Sequence, residues 1–453
     1  MLESLRSFYY SGKTRPESFR RNSLQKLRKE IFLREDDILH ALYMDLGKPP
    51  AEAYVSEIGF VLSEIKYALK NLHSWMKKRL VKTPLMFRPA KSFIIPVPRG
   101  VVLILGPWNY PFQLLMAPLV GALSAGNCAV LKPSEYAPET SGVIEEIINN
   151  IFPQGHCCVV PGDSEKSREL VGMKWDHIFF TGSTGIGKKI MTRAAENLVP
   201  VTLELGGKNP CMVFNDANVS VSAERIAWGK FLNSGQTCIA PDTVYCHESI
   251  YSVFIGELQK AVLRFFGENP ETSPDYGRII NIRHIKRLSE YLENSGKVLT
   301  GGQFDEKSLY FSPTIMLDIP KESIIMKEEI FGPVLPVLKF KDTDILLSKL
   351  RKQPCPLAVY IFTNNRSIQE KIILELPSGS VGINDTIKQA ATQYLPFGGA
   401  GESGIGNYHG KASFDAFSNY KSIMQTGYRG TRFHFPPYGK GVKALKKIYR
   451  LLY

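Results

Sequence analysis

The chain has 453 residues, of which 44% are hydrophobic and 22% charged, and its formal net charge is +13. That length is too great for one compact core and indicates two domains, with room for a smaller third element. A basic balance fits nucleic acid, an anionic membrane or an anionic ligand such as a dinucleotide, and we rank nucleic acid last because the chain has no nucleic-acid-binding motif.

The first hundred residues are predicted to be mainly helical. Apolar positions at helical spacing predict amphipathic helices over 17–45 and about 53–78. The segment 79–98 is rich in proline and basic residues and ends in a strand-like run at 92–96. We expect it to lie outside the main sheets.

From residue 100, short apolar strands alternate with helices, which is typical of a parallel sheet covered on both faces. Such sheets bind ligands at the carboxyl ends of their strands. The predicted strands are 101–105, 128–131, 157–160, 177–181 and 201–205, and the predicted helices are 112–125, 138–151, 164–172 and 187–197.

The second half repeats this alternation less regularly, and we place the domain change just after Gly207. The predicted fold class is therefore α/β, with two doubly wound parallel sheets. Helices are predicted near 217–232, 250–266, 281–294, 343–351 and 366–376, and strands near 243–247, 334–340, 357–363 and 380–384.

Targeting and cysteine patterns indicate a reducing compartment. The N-terminus carries Glu3 and Arg6 and has no apolar signal core. The sequence also lacks a run of eighteen apolar residues, the length needed to span a bilayer. The seven cysteines are odd in number and include no CxxC pair, which favours free thiols and gives no zinc spacing. We expect no metal, and a cytoplasmic location or a cytosol-facing membrane surface.

Two segments carry a candidate nucleophile and a candidate base. Cys238 ends the run Gly-Gln-Thr-Cys at 235–238, and Glu204 begins Glu-Leu-Gly-Gly-Lys at 204–208. A thiolate attacks carbonyl carbon, and a carboxylate can activate water to release an acyl group. The alternatives are a core cysteine and a merely solvated glutamate, although the polar run 233–237 favours a reactive thiol.

Asn109 is a candidate hydrogen-bond donor to an oxyanion. It lies in Pro-Trp-Asn-Tyr-Pro at 107–111, directly after the first strand of the alternating region, and the two prolines stiffen that loop. A preset donor aimed at a developing oxyanion lowers a barrier by ~3 kcal/mol. The alternative is that the Asn109 side chain bonds its own turn.

A glycine-rich turn at 181–187 joins a predicted strand to a predicted helix, where backbone N–H groups can hold a phosphate. Lys189 stands where a phosphate-loop NTPase needs Ser or Thr, so we favour pyrophosphate contact without hydrolysis over a purely steric tight turn. Lys132 and Glu135 follow the strand 128–131 and could hold ribose hydroxyls, but taken alone these residues favour an exposed, solvated charge pair.

Together these segments resemble the aldehyde dehydrogenase superfamily over roughly residues 1–430, and each motif falls in the family's order. The short N-terminus and the run Cys-Ile-Ala-Pro-Asp at 238–242 resemble the class 3 branch, which includes fatty aldehyde dehydrogenases. The motifs are PWNYP at 107–111, KPSE at 132–135, TGSTGIG at 181–187, ELGGK at 204–208, GQTC at 235–238, EEIFGP at 328–333 and PFGGAGESGIG at 396–406.

The resemblance implies oxidation of apolar aldehydes, either medium- to long-chain aliphatic or aromatic. NAD would be the main cofactor and NADP a second one. Cys238 would attack the aldehyde, the Asn109 amide and the Cys238 N–H would hold the oxyanion, and Glu204 would activate water, with Glu329 as the alternative base. The residues implied to bind the cofactor are Trp108, Lys132, Glu135, Gly182, Ser183, Gly187, Glu329 and Phe331.

The predicted organisation assigns 1–78 and 99–207 to NAD(P) binding and 208–405 to catalysis. Segments 79–98 and 406–430 would form a bridging element of a homodimer, followed by a basic amphipathic tail at 431–453. Residues 440–453 have one apolar helical face, which suits an anionic membrane, or packing on the dimer partner or beside the active-site mouth. A CoA-acylating enzyme and a non-catalytic protein with the same fold are the alternative functions.

Overall fold

A computed structural model describes residues 1–428, 435–438 and 441–452. Within them, one six-stranded and one seven-stranded sheet form the frame of the molecule, and a three-stranded sheet lies beside them. Residues 431–434, 439–440 and 453 of the predicted tail, and 429–430 of the predicted bridging element, lie outside the described residues.

The six-stranded sheet is parallel except for one short edge strand. Its central strand Val101–Leu105 is buried at every position. Val102 and Ile104 pack into one core, while Val101 and Leu103 pack into another on the opposite face. In sheet order the strands are Gly404–Ile405, Val201–Glu204, His177–Thr181, Val101–Leu105, Cys128–Lys132 and Cys157–Val159.

The seven-stranded sheet is also mainly parallel, with an antiparallel pair at one edge. Alternate residues of its strands again face two different cores, as Tyr360 and Ile361 do. In sheet order the strands are Lys297–Thr300, Thr314–Leu317, Val334–Phe340, Thr243–His247, Pro210–Val213, Ala358–Phe362 and Ser380–Ile383.

The three-stranded sheet is antiparallel and joins distant parts of the chain. Its middle strand Lys91–Pro98 pairs with Arg79–Val81 on one side and with Ser418–Gln425 on the other. Both outer strands are largely exposed. A further short hairpin joins Phe304–Asp305 to Tyr310–Phe311.

Helices cover both large sheets and precede the first one. The N-terminal region contains Leu2–Tyr10, Glu17–Leu33, Glu35–Leu46, Pro50–Ala53, a π-helical turn at Tyr54–Ile58, and Gly59–Met76. The remaining α-helices are Gln113–Ala125, Pro138–Ile151, Ser164–Val171, Thr184–Ala195, Val219–Phe231, Tyr251–Phe266, Ile282–Asn294, Thr343–Leu350, Arg366–Glu375, Lys411–Ala416 and Gly441–Leu452.

The predicted α/β fold is confirmed, and most predicted elements agree with the structure within a few residues. The prediction of one helix over 17–45 was wrong in detail, because the chain breaks at Arg34, where φ is −108° and ψ 19°. The prediction also missed Leu2–Tyr10, the strand Pro210–Val213 and the strand Ser418–Gln425. No helix among the described residues is long and apolar enough to cross a bilayer.

Candidate active site

A large groove runs along the carboxyl ends of the six-stranded sheet. Its volume is about 1130 Å³, and strand-end residues Leu105, Thr181 and Glu204 line it. The helix Thr184–Ala195 begins at this edge, and its N-cap Ser183 makes no side-chain capping bond. The first N–H groups of the helix are therefore suited to an anionic group.

Seven of the eight residues predicted to bind a cofactor line this groove. They are Trp108, Lys132, Glu135, Gly182, Ser183, Glu329 and Phe331. Gly187 is not among the lining residues. A Cβ at that position would lie 2.6 Å from Leu205 Cδ2. The structure thus gives Gly187 a packing contact between the helix Thr184–Ala195 and the sheet.

Lys132 and Glu135 differ in exposure, because Lys132 is buried whereas the Glu135 side chain is 34% exposed. The Lys132 side chain is only 3% exposed, and its Nζ donates to Oε2 of Glu135 at 3.1 Å. The pair lies at the end of the strand Cys128–Lys132 with both residues on the groove. The pair therefore presents an ammonium group and a carboxylate to the groove.

Sequence reasoning missed the basic and aromatic side chains that complete the groove. The Trp108 ring lies 5.1 Å from the His284 ring and 5.4 Å from the Phe331 ring. Arg287 donates to the backbone carbonyl of Phe331 at 3.3 Å and supports this loop, in which Phe331 has a φ of +43°. The missed lining residues include Arg168, Lys189, Arg193, Arg283, His284 and Arg287, and the basic run at 283–287 was an available signal for the last three.

Glu329 lies directly against Gly206. A Cβ on Gly206 would be 2.0 Å from Oε2 of Glu329, so only glycine leaves room for this carboxylate. Burial and the nearby Asp242 raise the pKa of Glu329 to about 8. The Gly207 N–H and Lys208 act in the opposite direction and lower this pKa. Glu329 therefore titrates close to neutral pH and can hold or release a proton.

The loop that carries Cys238 has an unusual backbone. Asn233, Ser234 and Gly235 have φ values of +52°, +51° and +75°. A Cβ on Gly235 would lie 2.2 Å from the Gly332 carbonyl oxygen, so glycine permits close contact with the neighbouring loop. Gln236 fixes the turn through its side chain, which bonds the backbone at Asn233, Arg278 and Ile280.

Asn109 contacts the cysteine loop rather than its own turn. Its side chain is buried, and Nδ2 donates to the Gln236 carbonyl oxygen at 3.0 Å. An amide group has two N–H bonds, so this contact sets the direction of the side chain and leaves a second donor. Next to it, the Tyr110 hydroxyl lies 2.7 Å from Oγ1 of Thr237.

Cys238 and Glu204 lie beside each other in a desolvated region. Burial raises the pKa of Glu204 to about 7, while the adjacent Cys238 and Thr181 side chains lower it. Burial, followed by the charge of Glu204, raises the pKa of the Cys238 thiol well above its ordinary value. Burial therefore favours the uncharged form of both side chains.

A second cavity of about 490 Å³ also reaches Cys238. Its walls are mainly apolar. Cys238 lines both this cavity and the groove, whereas Glu204 lines only the groove. The cavity thus provides room for an apolar chain next to the sulfur. Its apolar and aromatic walls include Phe60, Leu114, Trp228, Phe231, Phe265, Phe266, Phe397 and Tyr408.

A doubly wound α/β fold whose nucleotide-sized groove and apolar cavity meet at one thiol is typical of a dehydrogenase that works through a cysteine. The match of residues 9–423 to the model of the "Aldehyde dehydrogenase family" agrees with this class. The chain belongs to the aldehyde dehydrogenase family.

Known relatives are similar over nearly their whole length. The chain is 44% identical to "4,4'-diaponeurosporen-aldehyde dehydrogenase" of Staphylococcus aureus, covering 98% of this chain and 97% of that protein. It is 42% identical to "Aldehyde dehydrogenase family 3 member A2" of Mus musculus, covering 99% and 93%. The solved structure "Substrate bound state of Staphylococcus Aureus AldH" superposes with a TM-score of 0.97 at 44% identity, covering 99% and 98%. The predicted class 3 resemblance is confirmed.

Proposed function

We propose that this aldehyde dehydrogenase oxidises apolar aldehydes, medium- to long-chain aliphatic or aromatic, to carboxylic acids, with NAD as the main cofactor and NADP as a second. The observation that carries the proposal is the position of Cys238, where the groove and the apolar cavity meet. At such a junction, the carbonyl carbon of an aldehyde bound in the cavity can lie next to a hydride acceptor bound in the groove.

The residues of the groove fit a dinucleotide. The free helix start at Ser183 suits the pyrophosphate, and Lys132 with Glu135 suits the adenosine ribose. Glu329 would contact the nicotinamide ribose, and Phe331 would pack near the ring. The carboxylate of Glu135 disfavours a 2′-phosphate, whereas the basic side chains along the groove would offset part of that repulsion and admit NADP.

In the proposed mechanism the Cys238 thiol gives up its proton to solvent in the groove, and the thiolate attacks the aldehyde carbon. One N–H of Asn109 and the backbone N–H of Cys238 hold the oxyanion of the thiohemiacetal. Bound NAD(P) supplies the acceptor for the hydride that leaves this carbon. Glu204 then takes a proton from water, which attacks the Cys238 thioester and releases the acid.

These roles assign a function to each segment of the chain. Residues 1–78 and 99–207 would bind NAD(P), and 208–405 would supply the nucleophile. Segments 79–98 and 406–430 would bridge two copies in a homodimer; the exposed outer strand Arg79–Val81, with Leu80 69% exposed, supports this role. We propose a cytoplasmic location, extending to the cytosolic membrane surface.

An aldehyde series from propanal to dodecanal, run with each cofactor and with and without CoA, tests the proposed function. Burial of each CH₂ is worth ~0.8 kcal/mol, so we expect kcat/KM to rise by about fourfold per methylene until the cavity is filled. We expect NAD to be preferred over NADP. The product with CoA present should still be the free acid.

A variant that narrows the cavity provides the control for this series. Ala390 lines the apolar cavity, and Ala390→Phe should lower kcat/KM for long aldehydes while sparing propanal. Formation of acyl-CoA would replace the proposal with a CoA-acylating enzyme. Absence of aldehyde-dependent NADH formation would favour a non-catalytic protein.

The C-terminal segment supports a peripheral membrane contact. Gly441–Leu452 is a helix in which Val442 is 42% and Tyr449 47% exposed, and residues 440–453 carry five basic side chains. A Lys or Arg near an anionic surface contributes ~1 kcal/mol. We expect the full chain to sediment with vesicles that contain phosphatidylserine and to stay in solution with neutral vesicles.

Two variants separate charge from structure in that experiment. Removal of residues 440–453 should abolish sedimentation while propanal oxidation stays unchanged. Changing the basic residues of the helix to glutamine should weaken binding without removing the helix. Equal sedimentation of the truncated and full chains would rule out the membrane contact.

A further inference from the structure

A buried ion pair lies behind the loop that carries Asn109. The side chains of Lys48 and Glu57 are both 0% exposed, and Lys48 Nζ donates to Oε1 of Glu57. Removing two charges from water is costly, so a buried pair is weak evidence for stability and directs attention to what its atoms hold in place.

The pair holds the segment 109–113 at both ends. Lys48 Nζ also donates to the backbone carbonyl of Asn109 at 3.2 Å. The second oxygen of Glu57 accepts the N–H groups of Phe112 at 3.1 Å and Gln113 at 2.8 Å, where the helix Gln113–Ala125 begins. Free N–H groups at a helix start bind a carboxylate well, so Glu57 fixes the beginning of this helix.

The Asn109 peptide is consequently fixed from two directions. Its carbonyl oxygen accepts from Lys48 Nζ and from Asn233 Nδ2, the latter at 2.8 Å. The Asn109 side chain in turn donates to the Gln236 carbonyl of the cysteine loop. The direction of the Asn109 amide therefore depends on a peptide plane that Lys48 helps to hold.

The same N-terminal segment also reaches the cysteine loop. Glu52 Oε1 accepts the backbone N–H of Asn233 at 2.9 Å, next to the left-handed turn that leads to Cys238. Between Glu52 and Glu57 the chain passes into the π-helical turn Tyr54–Ile58, a form that is frequent at functional sites. One short segment thus contacts both loops that meet at the sulfur.

We propose that the buried Lys48–Glu57 pair is a positioning device that aims the Asn109 amide at the oxyanion formed on the Cys238-bound aldehyde. The inference rests on the proposed function, because it gives Asn109 the role stated there. A displacement of about 1 Å in a catalytic group can cost roughly 10²-fold in rate. Loss of the pair should therefore lower kcat while leaving the affinity for NAD intact.

A double-mutant cycle tests this inference on the full-length enzyme, with propanal or a longer aldehyde as substrate. Lys48→Met keeps the chain length but removes the charge, and Asn109→Ala removes the donor. We expect Lys48→Met to lower kcat by roughly 10- to 100-fold, with KM and the Kd for NAD within about twofold. In the Asn109→Ala background the same change should have almost no further effect on kcat.

Glu57→Gln is the second variant, because it keeps the size of the side chain and serves if Lys48→Met does not fold. It should show the same loss of additivity with Asn109→Ala. Ile148→Ala, in the core of the helix Pro138–Ile151 and away from both loops, is the control for general destabilisation. It should lower the melting temperature without lowering kcat.

The outcomes distinguish this inference from the function on which it rests. Asn109→Ala with a normal kcat would overturn the oxyanion assignment and the positioning role with it. A slow Asn109→Ala enzyme in which Lys48→Met and Glu57→Gln lower kcat by the same factors as in the wild type would overturn the positioning role alone. Unchanged kcat in both single variants would do the same.

Discussion

Replacing Cys238 with alanine is expected to lower aldehyde oxidation by roughly 10⁴-fold or more. The sulfur is the atom that would hold the substrate carbon through hydride transfer and hydrolysis, so neither step has a substitute without it. NADH absorbance in steady state, followed at saturating NAD, is the measurement. The affinity for NAD should stay within about twofold of the wild-type value, because the groove keeps its other residues.

Cys355 provides a matched control for that experiment. Both Cys238 and Cys355 are partly exposed free thiols, but Cys355 lines neither cavity. Cys355→Ala should keep kcat within about twofold of wild type, as is usual for substitutions away from a site. A Cys238→Ala enzyme that forms NADH at the wild-type rate would contradict the assignment of the nucleophile.

Replacing Glu204 with glutamine is expected to separate the two halves of the reaction. Glutamine keeps the shape of the side chain but cannot accept a proton from water, so the first turnover should still give a burst of NADH. Steady turnover should then fall by roughly 10²- to 10³-fold, within the usual range for a general base. Stopped-flow absorbance of NADH resolves the burst from the later rate.

The pKa of Glu204, raised by burial to about 7, predicts the pH dependence of the wild-type enzyme. The carboxylate must be unprotonated to accept a proton, so kcat should rise with pH through about 7, and Glu204→Gln should lose this limb. Glu329→Gln is the matched control, since Glu329 is the other buried carboxylate near the thiol. If Glu329→Gln shows the burst and Glu204→Gln turns over normally, the base is Glu329.

The candidate catalytic residues could be found in the sequence where a motif occupies one short loop. Cys238, Glu204 and Asn109 each stand among small or stiffening residues that mark a turn, and the structure brings the three turns together at one edge of the sheet. Parallel strands with both faces buried are continuous apolar runs, which is why strands such as Val101–Leu105 were predicted within a residue.

Other elements left too weak a local pattern to be predicted. The strand Ser418–Gln425 is mostly exposed and polar, and Pro210–Val213 has only four residues and begins with proline. The contact of Lys48 with Asn109 joins residues that are far apart in the chain, and no periodicity records such a pairing. Outside the basic run at 283–287, the basic residues of the groove likewise belong to helices whose own pattern shows only a solvated face.

Mass spectrometry of the Glu204→Gln enzyme is the most direct test of the central claim, that the sulfur of Cys238 captures the aldehyde carbon where the two cavities meet. The enzyme would be quenched in acid after one turnover with NAD and a long-chain aldehyde, and then digested. We expect the peptide that contains Cys238 to carry the acyl group, with the mass of the aldehyde less two hydrogen atoms. An acyl group on another residue, or NADH formation with an unmodified Cys238 peptide, would contradict the account.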